Sequence, residues 1–250
     1  MNMLFLDKGE DSLPLPLSDP RAGHIINILK KGPGDRVFAG LANGSLGFIK
    51  IQAIDNKYIQ FFYEHEKEAA ELNPIILLLG MPRPIQAKRM LKELTSLGIM
   101  GLVLSGTELG EKSYLESNFI AKAEYRSALI EGAVQAGNPR LPSIEKAWTL
   151  NSALAKLAEK HPSTKEAGGQ LWAMDPYRAK SRFGSACLPE VSGRNPLVLA
   201  IGSERGWTES ELSSLEAYGF SFVSLGTRIL KTETAAIAAV SVALSLLGLV

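Results

Sequence analysis

Phe220-Ser221-Phe222-Val223-Ser224-Leu225-Gly226-Thr227-Arg228-Ile229-Leu230-Lys231-Thr232-Glu233-Thr234-Ala235 is the stretch whose reading decides the fold. An apolar strand over residues 220–225 runs into a glycine. A cation, two branched apolar residues and a second cation follow, and a helix begins at Thr232. Almost everything after that point is Ala, Ile, Val, Leu or Ser. Strand, glycine loop and buried helix in succession make a βα unit, and ligands of open α/β sheets bind at the carboxyl ends of such strands.

A second strand end of this kind lies upstream. Leu197 to Ile201 is an apolar run closed by Gly202-Ser203-Glu204-Arg205-Gly206-Trp207, and glycines let backbone approach a ligand closely. Thr208 and Glu211 then have capping-box spacing, which predicts a helix from Glu209. Ile75 to Leu79 is continuously apolar, as in a strand buried on both faces of a parallel sheet. A helix is predicted over residues 85–97, ended by Gly98. Further strands are read at 101–104 and 171–174, and a helix at 119–136 closed by Gly137-Asn138-Pro139. Residues 156–170 read as a loosely ordered insertion. The alternation from Asn73 to Val250 predicts an α/β domain with a mostly parallel sheet.

The first 70 residues differ. Short strands are predicted at 3–6, 36–39, 48–51 and 58–63, with a hairpin signal at Asn43-Gly44. Asp19 is placed to cap a helix starting at Pro20 and carrying Ile25, Ile26, Ile28 and Leu29. This pattern suggests a small β-barrel domain, with residues 64–71 as a charged linker. The expected domains are therefore 1–72 and 73–250.

Composition bounds the function. With 250 residues, 46% hydrophobic and 21% charged, the chain reads as an ordinary soluble globular protein. A net charge of +1 excludes a global basic field but leaves room for a local basic face. Cys187 is the only cysteine, which excludes an intramolecular disulfide and a cysteine-based zinc site, and no metal is expected. The start lacks a secretory pattern, so a cytoplasmic location is expected. The apolar final helix is at the short limit for spanning a bilayer and is expected in the core or at a dimer interface, with no membrane partner.

Gly202 and Gly226 taken alone fit either two ordinary βα turns or a binding site. Neither a P-loop nor a dinucleotide fingerprint is present. The pair is more specific. Residues 199–207 and 224–235 resemble the two C-terminal motifs, I-G-P-E-G-G-F and S-L-G-x-R-I-L-R-x-E-T-A, of the RsmE family of SPOUT-class methyltransferases of small-subunit ribosomal RNA. Residues 131–142 are similar to the family's E-A-A-E-Q-S-G-R-x-R-V-P. His24 to Lys30 and Pro33-Gly34-Asp35 are similar to its H-x-x-x-V-L-R and P-G-D. Ser203 stands where the pattern has proline, Arg205 where it has glycine, and Asn138 where it has arginine.

The resemblance implies a PUA-like β-barrel RNA-binding domain followed by a trefoil-knotted α/β domain. It also implies a homodimer and S-adenosylmethionine bound against the two glycine loops. The reaction would be methylation of uridine N3 in small-subunit (16S) rRNA. The cofactor residues so implied are Met174, Ala200, Gly202, Gly206, Ser224, Leu225, Gly226, Ile229 and Leu230. Arg228 and Glu204 are the catalytic candidates. Arg228 would hold phosphate or uracil oxygens, or else form an ion pair with Glu204 or Glu233. Glu204 would orient a loop or bind the methionine ammonium. Lys30, Lys88, Arg89 and Arg140 are the candidates for RNA contact. A catalytically weak or silent RNA-binding protein on the same scaffold is the alternative.

Overall fold

In a computed structural model that describes residues 3–162 and 170–250, the chain folds as two units. One comprises Met1–Glu71 with Ile130–Leu141, and the other Leu72–Leu129 with Pro142–Val250. The boundary expected after residue 72 leaves out that second piece of the first unit.

The first unit contains β1 (Leu4–Leu6), β2 (Leu15–Pro16), the short helix α1 (Pro20–Gly23), β3 (Arg36–Leu41), β4 (Ser45–Ile54) and β5 (Tyr58–Glu68). The strands form one sheet in the order β1-β3-β4-β5-β2, with β1 parallel to β3 and the remaining pairs antiparallel. Asp19 caps α1 by accepting from the Arg21 amide at 2.8 Å. The helix does not run on to Leu29: a π-type turn over His24–Ile28 takes over. Asn43 adopts φ +54° in the β3–β4 turn, and the Gly44 amide donates to Leu41 O at 2.8 Å. Leu4, Leu15, Ile25, Val37, Ile49 and Ile59 share one apolar cluster to which every strand contributes.

Two expectations for this unit fail. Residues 64–68 are not a linker but the second half of β5, paired with β4 as far as Ser45↔Glu68. Once a neighbouring strand satisfies the backbone, exposed charged side chains are tolerated, so pairing overrides composition. Arg36 also holds Glu64 at 2.9 Å. Second, Ala133, Ile130, Val134 and Leu141 pack with Met3, Phe5, Leu46 and Ala69, which ties 130–141 to this unit.

The second unit contains β6 (Asn73–Gly80), α2 (Pro84–Ser96), β7 (Ile99–Ser105), α3 (Lys112–Glu116), α4 (Asn118–Ala121) and α5 (Tyr125–Ala136), whose C-terminal half belongs to the first unit. There follow β8 (Ser143–Ala147), α6 (Leu150–Lys160), β9 (Leu171–Met174), β10 (Ser181–Arg182), β11 (Leu197–Ile201), α7 (Glu209–Tyr218), β12 (Ser221–Ser224) and α8 (Thr232–Leu246). The sheet order is β10-β12-β9-β11-β6-β7-β8, and every pair is parallel. Leu154, Leu157, Leu212 and Leu215 from α6 and α7 pack on Leu78, Ala173, Val198 and Ala200. Helix α8 packs against α2, β6 and β11.

The Thr208 capping box is formed: Thr208 Oγ1 accepts from the Glu211 amide at 3.2 Å, and Glu211 Oε2 accepts from the Thr208 amide at 3.0 Å. The helix expected over 119–136 is broken instead into α4 and α5, with Ala123 at φ +52° between them. The insertion expected over 156–170 is partly helix, because α6 runs to Lys160; residues 163–169 lie outside the described residues. Helix α8 is a core helix, with Ala236, Ala239, Val240 and Ala243 fully buried. Among the described residues no helix is long and apolar enough to cross a membrane.

Arg21 provides the main polar lock of the first unit. Its guanidinium donates to Phe5 O at 2.8 Å and pairs with Glu10 at 2.7 Å and Asp19 at 2.8 Å. The hydrogen bonds from Arg21 hold both carboxyls below their usual range. Groups lowered in this way stabilise the fold fully above their ordinary pKa, and that stabilisation is lost as pH falls through the lowered values. Amide-exchange protection of β1 and β3, corrected for intrinsic rates, is expected to drop between neutral pH and about pH 3. Arg21→Met should lower the neutral-pH protection and flatten the drop; an unchanged profile would remove this lock from the account.

Candidate functional site

The parallel register sets three strand ends side by side. Met174 at the end of β9 pairs with Ile201 of β11 on one side and Val223 of β12 on the other. The loops leaving these strands converge on a cavity of about 580 Å³, to which Gln86 of α2 and Thr232, Glu233 and Ala235 of α8 also contribute. A cavity of this size suits a small-molecule ligand.

The loop after β11 is shaped by close backbone contact. The Gly206 amide donates to Ser203 O at 2.9 Å, and Gly206 takes φ +76°. A Cβ on Gly202 would sit 2.9 Å from Gly206 Cα, and one on Gly80 would sit 2.4 Å from Ser203 N. Thr107 Oγ1 donates to Ser203 Oγ at 3.2 Å. Arg205 does not crowd this loop. The positive φ falls on Gly206 rather than on Arg205, and the arginine side chain is exposed, reaching Leu109 O at 3.5 Å. Gly226 takes φ +139°, a conformation that L side chains rarely adopt, and a Cβ there would meet open space. The cavity therefore lies against backbone at Gly226, as a closely approached ligand requires.

Met174, Gly202, Glu204, Gly206, Ser224, Leu225, Gly226, Arg228, Ile229 and Leu230 all line the cavity. Ala200 does not. It is fully buried between the sheet and α7, and alternation along β11 turns it from the cavity that Ile201 reaches. Glu204 Oε1 accepts from the Arg83 amide at 3.1 Å, so this carboxylate ties the loop to the start of α2. Arg228 is exposed and, among the described residues, forms neither of the ion pairs weighed for it.

The four cations expected to touch RNA are divided between the two units, Lys30 and Arg140 in the first and Lys88 and Arg89 in the second. Lys88 and Arg89 are exposed on α2. Lys30 belongs to the first unit, exposed, at φ +54°. Arg140 is tied within the first unit. Its guanidinium bonds Ala69 O at 3.2 Å and pairs with Glu71 at 2.6 Å, with the side chain only 20% exposed.

Two groups that the sequence reading did not assign carry the best test of a cofactor. Gln86 Oε1 and Trp207 Nε1 are buried, have no protein partner, and belong to residues lining the cavity. An unpaired buried donor or acceptor costs about 1–3 kcal/mol, so a ligand that reached either group would gain by pairing with it. Helix α8 also begins on the cavity with no side-chain cap at Lys231, and its first turn favours negative charge. A polar acceptor, a polar donor, an uncapped helix end and apolar walls from Met174, Ile201 and Leu225 fit S-adenosylmethionine, which offers adenine, hydroxyl, ammonium and carboxylate groups. Trp207 stands inside the quoted motif, but nothing in the sequence marks Gln86. Among the described residues no cluster of side chains could hold a metal ion.

Comparison with known proteins is consistent with this geometry. The family described as RNA methyltransferase domain matches residues 69–244. Ribosomal RNA small subunit methyltransferase E of Treponema pallidum is 39% identical, over 98% of this chain and 91% of that protein. Ribosomal RNA small subunit methyltransferase E 1 of Borreliella burgdorferi is 33% identical, over 96% of this chain and 95% of that one. The crystal structure of a ribosomal RNA small subunit methyltransferase E from Neisseria gonorrhoeae bound to S-adenosyl methionine shares the fold, with a TM-score of 0.76, 22% identity and 98% of each chain covered.

Gln86→Met keeps the side-chain volume and removes the unpaired acceptor. The unliganded protein should be as stable as the parent or slightly more so. Affinity for S-adenosylmethionine should fall about 2- to 10-fold, the worth of one hydrogen bond. Calorimetry reads both quantities, and undiminished affinity would place the amide away from the ligand.

Proposed function

The chain belongs to the RNA methyltransferase family, alongside the ribosomal RNA small subunit methyltransferases E, and from this we propose that it methylates N3 of a uridine in small-subunit rRNA with S-adenosylmethionine as methyl donor. The observation that carries the reading is the pair of buried, unpartnered groups, Gln86 Oε1 and Trp207 Nε1, on a cavity walled by Gly202 and Gly226.

When bound, the cofactor supplies an electrophilic methyl group that an in-line nucleophile can take. The protein's part is positioning, which can supply much of the rate in such displacements. The glycine loops and Trp207 bind and orient. Glu204 holds its loop against the Arg83 amide. Uracil N3 becomes nucleophilic as its proton passes to solvent, and charge then develops on the flanking carbonyl oxygens. Arg228 lies on the same cavity with its charge uncommitted among the described residues, and so can stabilise that charge.

The scaffold proposed is a trefoil-knotted domain with a PUA-like RNA-binding unit. The knot is supported by the strand order. β9 lies between β11 and β12, yet α8, which follows β12, returns to pack on β11, β6 and α2. The PUA-like reading is supported by five strands sharing one apolar core. A homodimer is supported by a half-buried apolar stripe on α8, at Ala235, Ala238, Val242 and Leu246. A cytoplasmic location follows from the proposed substrate.

Calorimetry with S-adenosylmethionine should show one site per chain, and absence of binding at millimolar cofactor would defeat the enzyme reading. Arg228→Ala should lower kcat by about 100- to 1,000-fold, as loss of a charge-stabilising group does, while cofactor affinity changes little. Equal losses in kcat and cofactor affinity would make Arg228 part of the cofactor site instead.

A further inference from the structure

The loop after β9 holds one aromatic side chain out to solvent at the mouth of the cavity. Tyr177 is 82% exposed and lines the cavity, as does Ile229, which is 74% exposed. Everything around Tyr177 is fixed. The buried Asp175 carboxylate accepts from the Tyr177 amide at 2.9 Å and the Arg178 amide at 2.8 Å. The Asp175 amide donates to Val223 O at 3.1 Å, and Pro176 restricts the backbone between them. Arg178 is held by Glu209 and Glu216 and stacks on Phe222 at 5.7 Å. Among the described residues the Tyr177 side chain has no partner. The ring is thus presented by a rigid turn and used by nothing inside the protein.

Charge says what it could receive. Arg228 and Lys231 line the same cavity, both exposed and neither ion-paired among the described residues, while the exposed Arg205 guanidinium reaches Leu109 O instead. Of the carboxylates there, Asp175 is buried on backbone amides and Glu233 is half-buried in the first turn of α8, while Glu204 is exposed and accepts from the Arg83 amide. A flat π-face beside exposed cations is the arrangement that binds single-stranded nucleic acid, with bases on the ring and phosphates on the cations. We infer that Tyr177 is a stacking platform that holds an unpaired RNA base at the mouth of the cofactor cavity. The inference rests on the proposed RNA methyltransferase function and adds to it the residue that positions the target strand.

The test uses the full chain and a fluorescein-labelled single-stranded oligouridine, read by anisotropy across a salt series. Tyr177→Ala should weaken binding about 10-fold, within the range for loss of one stacked base. Tyr177→Phe and Tyr177→Trp keep the π-face and should bind within about twofold of the parent. Tyr177→Leu keeps apolar area without the π-face and should fail as the alanine variant does. Stacking releases no counterions, so the salt dependence of Tyr177→Ala should match the parent, whereas Arg228→Ala should lower the slope by about 0.7, the value for one phosphate contact on a single strand. Parent-like binding by Tyr177→Ala, or loss of binding by Tyr177→Phe, overturns the inference. So does sedimentation showing that Tyr177→Ala has changed oligomeric state, because the ring would then serve a second copy of the chain. Failure of the parent to bind S-adenosylmethionine would instead defeat the family-based function, so the two failures are separable.

Discussion

Backbone packs on backbone where β6 and β11 end, and the site depends on that contact. Gly80 leaves no room for a Cβ against Ser203 N, and Gly202 leaves none against Gly206. These contacts hold the Ser203–Gly206 turn down on the strand ends, so that its outer side faces the cavity. Any side chain at Gly80 or Gly202 would have to displace main chain rather than a flexible neighbour. The parallel register of β9, β11 and β12 then brings the other two loops to the same level. Arg205 can replace a glycine in this turn because the left-handed residue is Gly206.

In the proposed function such a frame separates cofactor from RNA. The cavity floor is apolar and backbone-lined, with two buried polar groups awaiting a partner. Its rim carries cations and an exposed ring. In the proposed function a chain of net charge +1 needs no global basic field to meet RNA, because the exposed Arg228 and Lys231 line one cavity.

Much of this frame was legible in the residues. Continuous apolar runs at 75–79 and 197–201 mark strands buried on both faces, and Thr208 with Glu211 marks the start of α7. The glycine loops could be placed on one cavity because strand ends in a parallel sheet share one edge. Other parts depend on tertiary partners. Strand β8 reads Ser-Ile-Glu-Lys-Ala and lies at the sheet edge, where no apolar run is required. The charged half of β5 is a strand only because β4 pairs with it. Ala200 and Ile201 look equivalent in the sequence, and only the facing of β11 tells which reaches the cavity. Arg140 matches a family arginine, but its partners, Ala69 and Glu71, lie some seventy positions away in the chain. Gln86 lies on an ordinary-looking helix face, and its importance arises from burial without a partner.

Chemical identification of the methylated nucleoside tests the central claim most directly. Small ribosomal subunits lacking the modification would be incubated with the protein and methyl-labelled S-adenosylmethionine, then digested to nucleosides and analysed by mass spectrometry. Label in N3-methyluridine is the predicted result. Label on a ribose or another base, or no transfer by protein that binds the cofactor, would contradict it.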